Sequence, residues 1–189
     1  MKTISFIIPI YRNEGSIKLT YEKIIELFDN QLTKYDYRFI FINDGSDDNS
    51  YNELIELKEI NHDKIKILSF TRNFGQVPAI IAGYSKCNSE IAINMSADLQ
   101  DPPELIVQMV REWEKGIKIV ICSRKGREDS LASRSTSKIF YNLIKLSNKR
   151  MPKGGFDFVL LDRKVVNDFN LIDERNRFFQ GDILWLGYA

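Results

Sequence analysis

The sequence predicts an α/β domain with a mainly parallel central sheet and helices on both faces. Three observations carry this. Short unbroken apolar runs recur along the chain, as strands buried on both faces do. Between them, apolar residues repeat at helical spacing, and strands alternating with helices imply parallel pairing through right-handed crossovers. Most of the runs also end in polar, turn-forming residues, which brings those loops to one edge of the sheet, where open α/β sheets bind ligands. The 189 residues suffice for one domain with a sizeable core.

Ser5-Phe6-Ile7-Ile8 reads as a first, central strand, ended by Pro9-Ile10-Tyr11-Arg12-Asn13-Glu14. Ile17, Tyr21, Ile24, Ile25, Phe28 and Leu32 then follow at helical spacing. Arg38–Ile42 is a second strand, broken by Asn43-Asp44-Gly45-Ser46-Asp47-Asp48, and Leu54, Ile55, Leu57 and Ile60 mark a second helix. Ile65–Phe70 is a third strand; Arg72-Asn73-Phe74-Gly75-Gln76 is a loop, and Pro78 opens the helix that carries Ile80, Ile81 and Tyr84. Ile91-Ala92-Ile93 is a fourth strand and Ile117–Cys122 a fifth, followed by a helix marked by Ile139, Phe140, Leu143 and Ile144. Residues 154–163 have a loop-then-strand character. This arrangement places Tyr11, Glu14, Asp44 and Asp98 at one sheet edge.

Asn94–Glu104 is the most informative stretch. Asp101-Pro102-Pro103-Glu104 is expected to open a helix, with Asp at the N-cap, Pro at the first position and Glu three residues after the cap. Asp98 and Gln100 then fall in the turn between strand and helix. A carboxylate and an amide oxygen two residues apart suit a hard divalent cation, which takes oxygen ligands and keeps positions for water or substrate phosphate.

The net charge says nothing about partners, but its distribution along the chain does. Hydrophobic residues make up 43% and charged residues 28%, with a net charge of +1, an ordinary balance for a soluble globular protein. No nucleic acid is expected as a partner. Between Lys115 and Lys153 the chain has eleven basic residues and only Glu128 and Asp129 as acids. Such a local field draws phosphates or an anionic membrane surface, although a solvated helix face would read the same way. Cys87 and Cys122 lie far apart in apolar settings and read as buried thiols in a reducing compartment. The sole histidine, His62, stands in a polar turn, so histidine catalysis is not expected. No Gly-x-Gly-x-x-Gly follows the first strand and there is no Walker loop, which removes the main support for ordinary dinucleotide and P-loop readings. No run approaches the roughly 18–20 apolar residues that span a bilayer.

The segments Phe6–Glu14, Asn43–Asp48 and above all Ser96-Ala97-Asp98-Leu99-Gln100-Asp101-Pro102-Pro103-Glu104 together resemble family 2 glycosyltransferases of the GT-A fold, and within them the polyisoprenyl-phosphate branch. The resemblance covers nearly the whole chain, read as one catalytic domain over residues 1–189. It implies that Pro9, Tyr11, Glu14, Asp44, Ala97 and Asp98 hold a nucleotide. It also implies that Asp98 and Gln100 ligate Mg2+ or Mn2+ on the diphosphate. Arg124 would contact phosphate, Arg134 and Ser137 would lie near the acceptor phosphate, and Asp157 would sit near the reacting sugar. This chain departs from the pattern at Ser96, where an Asp-x-Asp motif has its first carboxylate, at Asn43, where an Asp is common, and at Val159, where an Arg is common.

The resemblance thus implies an inverting, metal-dependent transfer of a sugar from a nucleotide diphosphate to a polyisoprenyl phosphate at the cytoplasmic face of a membrane. Two alternatives stay open: transfer to a saccharide or protein hydroxyl with Asp157 as base, and a non-catalytic nucleotide-binding membrane module. The apolar stretch Phe178–Trp185 near the end is expected to fold back on the sheet or to pair with another copy as a homo-oligomer, with a membrane-attached continuation beyond it.

Overall fold

The computed structural model describes residues 1–123, 151–152 and 155–188. The sheet strands are β1 (Lys2–Ile10), β2 (Tyr35–Asn43), β3 (Ile65–Ser69), β4 (Ile91–Asn94), β5 (Ile119–Cys122) and β6 (Phe158–Asp162). Among the described residues the helices are α1 (Ile17–Asn30), α2 (Ser50–Ile60), α3 (Gln76–Ser85), α4 (Leu105–Glu114), α5 (Arg163–Asn170) and α6 (Phe179–Trp185). The strand order is β3-β2-β1-β4-β6-β5. The first four are mutually parallel, and β6 runs antiparallel between β4 and β5.

Alternation along β1 divides the core into two layers. Ile4, Phe6, Ile8 and Ile10 face α1, α2 and α4, whereas Ile7 faces α3, α5 and α6. Because both faces are covered, the strands are apolar at successive positions rather than at every second one. Phe39 stacks between Phe6 and Phe41 at centroid distances of 5.2 and 5.5 Å. On the other face, α3 comes so close that a Cβ on Gly83 would lie 2.4 Å from Ile7 Cγ2 and 2.8 Å from Ile42 Cδ1.

Several boundaries differ from expectation, each for a local reason. Pro9 does not end β1; it pairs with Ile42 inside the strand. Ile7 O accepts from Met95 on the β4 side and Ile10 O accepts from Asp44 on the β2 side, so odd positions of β1 turn toward β4. The β4 pairing stops at Ile7 and Asn94, so the missing N–H of Pro9 falls where no ladder bond is needed. Pro78 is the third residue of α3, not its first. The fifth strand starts at Ile119, and Ile117 is half-exposed. Helix α4 begins at Leu105 rather than just after Asp101. Leu105 N donates to Pro102 O and Ile106 N to Pro103 O, a tighter turn leading into the helix. The two cysteines are half-buried rather than buried. The helix expected around Ile139–Ile144 lies outside the described residues.

The terminal apolar stretch does fold back. Phe179, Ile183 and Leu184 of α6 are buried against Tyr84 and Phe169, while Trp185 is 76% exposed. The Phe179 ring lies 6.0 Å from both Tyr84 and Phe169. No helix among the described residues is long and apolar enough to cross a membrane.

Candidate active site

Four loops meet at the carboxyl edge of the parallel strands. Together they form a cleft of about 250 Å³ lined by Pro9, Ile10, Tyr11 and Asn13 after β1, Asp44 after β2, Asn73, Gly75 and Gln76 after β3, and Ser96, Ala97 and Asp98 after β4. Pro9, Tyr11, Asp44, Ala97 and Asp98, all expected at a nucleotide site, are therefore brought together.

The loop after β1 is held by acids from the Asn43–Asp48 motif and the start of α2. Arg12 donates from Nε and Nη2 to the two carboxylate oxygens of Asp47, both at 2.7 Å. This bidentate partner holds the Asp47 carboxyl below the usual range, and Asp47 in turn raises the Arg12 guanidinium. Asn13 N donates to Ser50 Oγ (2.9 Å), Glu14 N to Asp48 Oδ2 (3.2 Å) and Gly15 N to Glu53 Oε1 (2.7 Å). For Asp48, burial opposes the charge, but hydrogen bonds from Ser50 and Glu14 outweigh it and the carboxyl is held low. Glu14 turns its own carboxylate to Asn49 N at 3.2 Å, beside α2, and does not line the cleft.

Asp44 has a role that no sequence motif announced. It is 3% exposed, and its two carboxylate oxygens accept from Phe74 N (2.7 Å) and Gly75 N (2.8 Å). The loop after β3 is thereby clamped over Gly45, whose φ is +67° and where a Cβ would sit 2.4 Å from the Arg72 carbonyl carbon. Only glycine meets both demands. Asn73, Gly75 and Gln76, in the loop expected after the third strand, form cleft wall. The signal was available, since this loop leaves the same sheet edge as the other three.

The turn after β4 is shaped by its backbone. Leu99 has φ +59° and Arg12 φ +53°, so two non-glycine residues adopt the left-handed region close to the cleft. Such residues cluster where surrounding contacts over-determine a functional geometry. Asp101, expected as a helix cap, is 3% exposed and its Oδ2 accepts from Ser96 N at 2.9 Å, bridging the turn. Thr20 Oγ1 on α1 donates to Ala97 O at 2.8 Å. Asp98 Oδ1 accepts from Gln100 N at 3.1 Å, and the side chain itself is exposed.

The donors present fit a hard cation that takes further oxygens from its ligand. Among the described residues, no three or more His, Cys, Asp or Glu side chains gather as a metal cluster. What the cleft offers is the Asp98 carboxylate and the Ser96 hydroxyl, whose Oγ is buried with no hydrogen-bond partner. Gln100 is exposed two residues along the same turn. Asp157 lies just before β6, exposed, with its carbonyl accepting from Asn94 Nδ2 at 2.6 Å. Arg124, Arg134 and Ser137 lie outside the described residues. His62 is exposed beside Asp63, as its polar surroundings implied.

Residues 5–173 match the family described as Glycosyl transferase family 2. The chain belongs to glycosyl transferase family 2. Curated relatives of this family member include the uncharacterized glycosyltransferase sll0501 of Synechocystis, 36% identical over 98% of this chain and 58% of that protein. Another is the prophage bactoprenol glucosyl transferase homolog of Escherichia coli K12, 35% identical over 97% of this chain and 60% of that protein. The chain thus spans about three-fifths of the length of these relatives. Among solved structures, the mannosyltransferase PcManGT of Pyrobaculum calidifontis, in complex with GDP-Man and Mn2+, superposes with a TM-score of 0.68 at 16% identity. The match covers 98% of this chain and 52% of that one. At that identity the likeness shows the fold, which is GT-A.

Proposed function

We propose that residues 1–189 form the catalytic domain of an inverting, metal-dependent transferase that moves a sugar from a nucleotide diphosphate to a polyisoprenyl phosphate. The observation that carries this reading is the convergence of four strand-end loops on one cleft containing Asp98 and the unpartnered Ser96 hydroxyl. The name of the bactoprenol relative and the nucleotide sugar and Mn2+ bound by the mannosyltransferase support it.

In this reading Pro9, Tyr11 and Asp44, at the β1–β2–β3 end, seat the nucleoside, and Asp98 holds the diphosphate end. Glu14 supports the site through Asn49 rather than by contact. Asp98, Ser96 and Gln100 would hold Mg2+ or Mn2+, which neutralises charge that develops on the leaving diphosphate. An oxygen of the acceptor phosphate forms the new bond to the anomeric carbon. The bond from that carbon to the diphosphate oxygen breaks, and its electron pair leaves with the nucleotide. The attacking oxygen is already anionic, so no strong base is required and the exposed His62 is no obstacle. Arg124, Arg134 and Ser137 are assigned to the phosphates of donor and acceptor, and the basic stretch Lys115–Lys153 to an anionic membrane face.

A second reading, transfer to a saccharide hydroxyl, is favoured by one observation: Asp157 presents an exposed carboxylate that could serve as base. Incubating the full-length protein with Mn2+, undecaprenyl phosphate and a panel of nucleotide sugars separates the two. A glycolipid product is expected; product formed only with a soluble saccharide acceptor would overturn the first reading.

A further inference from the structure

The opposite edge of the sheet, where the chain enters the parallel strands, carries a second hollow of about 260 Å³. Ser5, Phe39, Ile40 and Ile65 are buried beneath it. Its rim is basic. Arg38 stands on β2, Lys64 just before β3, Lys66 on β3, and Lys86 at the end of α3. The acids nearby are engaged: Asp36 pairs with Lys64, and Asp63 lies 3.4 Å from the exposed His62. Among the described residues, Arg38, Lys66 and Lys86 have no ion-paired carboxylate of their own.

We propose that this hollow binds a phosphate-bearing anion, at a site separate from the nucleotide cleft. The register pairs Phe39 with Ile65 and Ile40 with Lys66, so one step back sets Arg38 beside Lys64 and diagonal to Lys66. Like charges so placed repel one another, and only Lys64 is offset by a carboxylate. An anion seated among them removes that repulsion. Lysine on an edge strand has another use, which is to discourage pairing with a second sheet, and β3 is an edge. That accounts for Lys66. It does not account for Arg38, on the inner strand β2, or for Lys86, at the end of α3. A concave site lined by one sign of charge over a low-dielectric floor also concentrates counter-ions. The donors select the ligand class. Arg38 presents a fork that suits phosphoryl oxygens, and Lys66 and Lys86 add point charges, so a group with two or more negative charges fits better than a single carboxylate.

The two hollows are well apart. From Ser5 beneath this one to Ile10 in the cleft wall, β1 runs about 16 Å, at roughly 3.3 Å per residue. A ligand here therefore leaves the cleft open. The same phosphoryl chemistry is offered by a free phosphate compound and by a lipid headgroup, and the experiment separates these two sources.

Calorimetry on the full-length protein, at low salt and with divalent metal chelated, uses two probes. Inorganic pyrophosphate stands for the free anion, and water-soluble dihexanoylphosphatidylglycerol for the headgroup. Binding of at least one is expected, and it should weaken as salt is raised. Arg38→Gln combined with Lys86→Gln is expected to lower that affinity by about tenfold or more, with Tm unchanged because both side chains are exposed. Asp63→Asn removes the only acid among the residues lining the hollow and is expected to raise the affinity by about two- to threefold. A gain of affinity does not arise from damage to the fold. Nucleoside diphosphate affinity with Mn2+ should stay within about twofold in both variants. Tighter binding of pyrophosphate supports the site and assigns it to a soluble phosphate compound; binding of the lipid alone supports it and assigns it to a headgroup. Binding of neither probe overturns the site, as does binding that neither variant alters. An equal loss of pyrophosphate and nucleoside diphosphate affinity in the Arg38→Gln, Lys86→Gln protein overturns it too, since that would place the pyrophosphate in the cleft.

Discussion

Replacing Asp44 by Ala should act on the loop after β3 as much as on any ligand. The carboxylate accepts two backbone hydrogen bonds, at 2.7 and 2.8 Å, from a site 3% exposed. Hydrogen bonds to a charged group contribute about 1.5–3 kcal/mol each, and the loss strands the Phe74 and Gly75 amides unless water reaches them. With partial rehydration of that loop, the expected destabilisation is about 2–4 kcal/mol. For a domain of this size, that lowers Tm by roughly 5–15 °C. Asp44→Asn keeps one acceptor oxygen and turns an NH2 group toward the other amide, so it should retain less than half of the interaction. Calorimetric unfolding gives the stability, and hydrogen exchange at the Phe74 and Gly75 amides gives the mechanism. Both amides should lose protection in the Ala variant ahead of the rest of the chain. Nucleotide affinity should fall as well, because Asn73, Gly75 and Gln76 are cleft wall. An Ala variant with unchanged Tm and protected Phe74 and Gly75 amides would refute the clamp, and any lost affinity would then have to come from direct contact.

Four further outcomes are expected. Asp98→Ala should abolish metal-dependent nucleotide binding, and calorimetry with Mn2+ showing unchanged affinity would refute the role given to that carboxylate. Ser96→Asp should tighten metal binding by about tenfold, since a charged ligand holds a hard cation better than a hydroxyl; no change would mean that the hydroxyl faces away from the ion. Gly83→Val should cost about 1–3 kcal/mol or more in unfolding experiments, because a Cβ there meets Ile7 and Ile42 inside 3 Å. Asp162 tests acid stability. Burial opposes its charge, but hydrogen bonds from Lys164 N and Trp113 Nε1, then Lys118, hold its carboxyl below the ordinary 3.8. A depressed folded-state value means the contribution is present above that ordinary value and is lost as pH falls through the lower one. Asp162→Asn should flatten the stability profile on that acid limb, and an unchanged acid limb would show that the carboxylate contributes nothing there.

Much of the fold was legible because burial on both faces leaves an unmistakable trace. Phe39, Ile40, Phe41 and Ile42 are almost wholly buried, and a run of four such residues flanked by turn formers reads as a central strand without further help. The limits of the strands were less legible because pairing, not composition, decides them. Pro9 stays in β1 only because β4 has already turned away, which depends on residues more than 80 positions downstream. Helix α4 begins late for a similar reason: Asp101 has the composition of a cap, but it is drawn to Ser96 N within the turn. Short polar residues favour both outcomes, and only tertiary placement chooses between them.

The site was legible where a residue touches the cleft and illegible where it acts through the backbone. Tyr11, Asp44 and Asp98 stand out because carboxylates and an aromatic at strand ends are conspicuous in sequence. Nothing in one sequence says that Asp44 spends its carboxylate on Phe74 and Gly75, or that Glu14 serves Asn49. Both are bonds to main-chain N–H groups, which every residue except proline offers, so they leave no mark on residue type. Asn94 likewise acts through the backbone, donating from Nδ2 to the Asp157 carbonyl. The cleft is thus pre-organised largely by side chains that bind backbone, and its floor is held before any ligand arrives. The acceptor left over in the cleft wall is Ser96 Oγ, which among the described residues is buried with no hydrogen-bond partner and so awaits a donor or a cation.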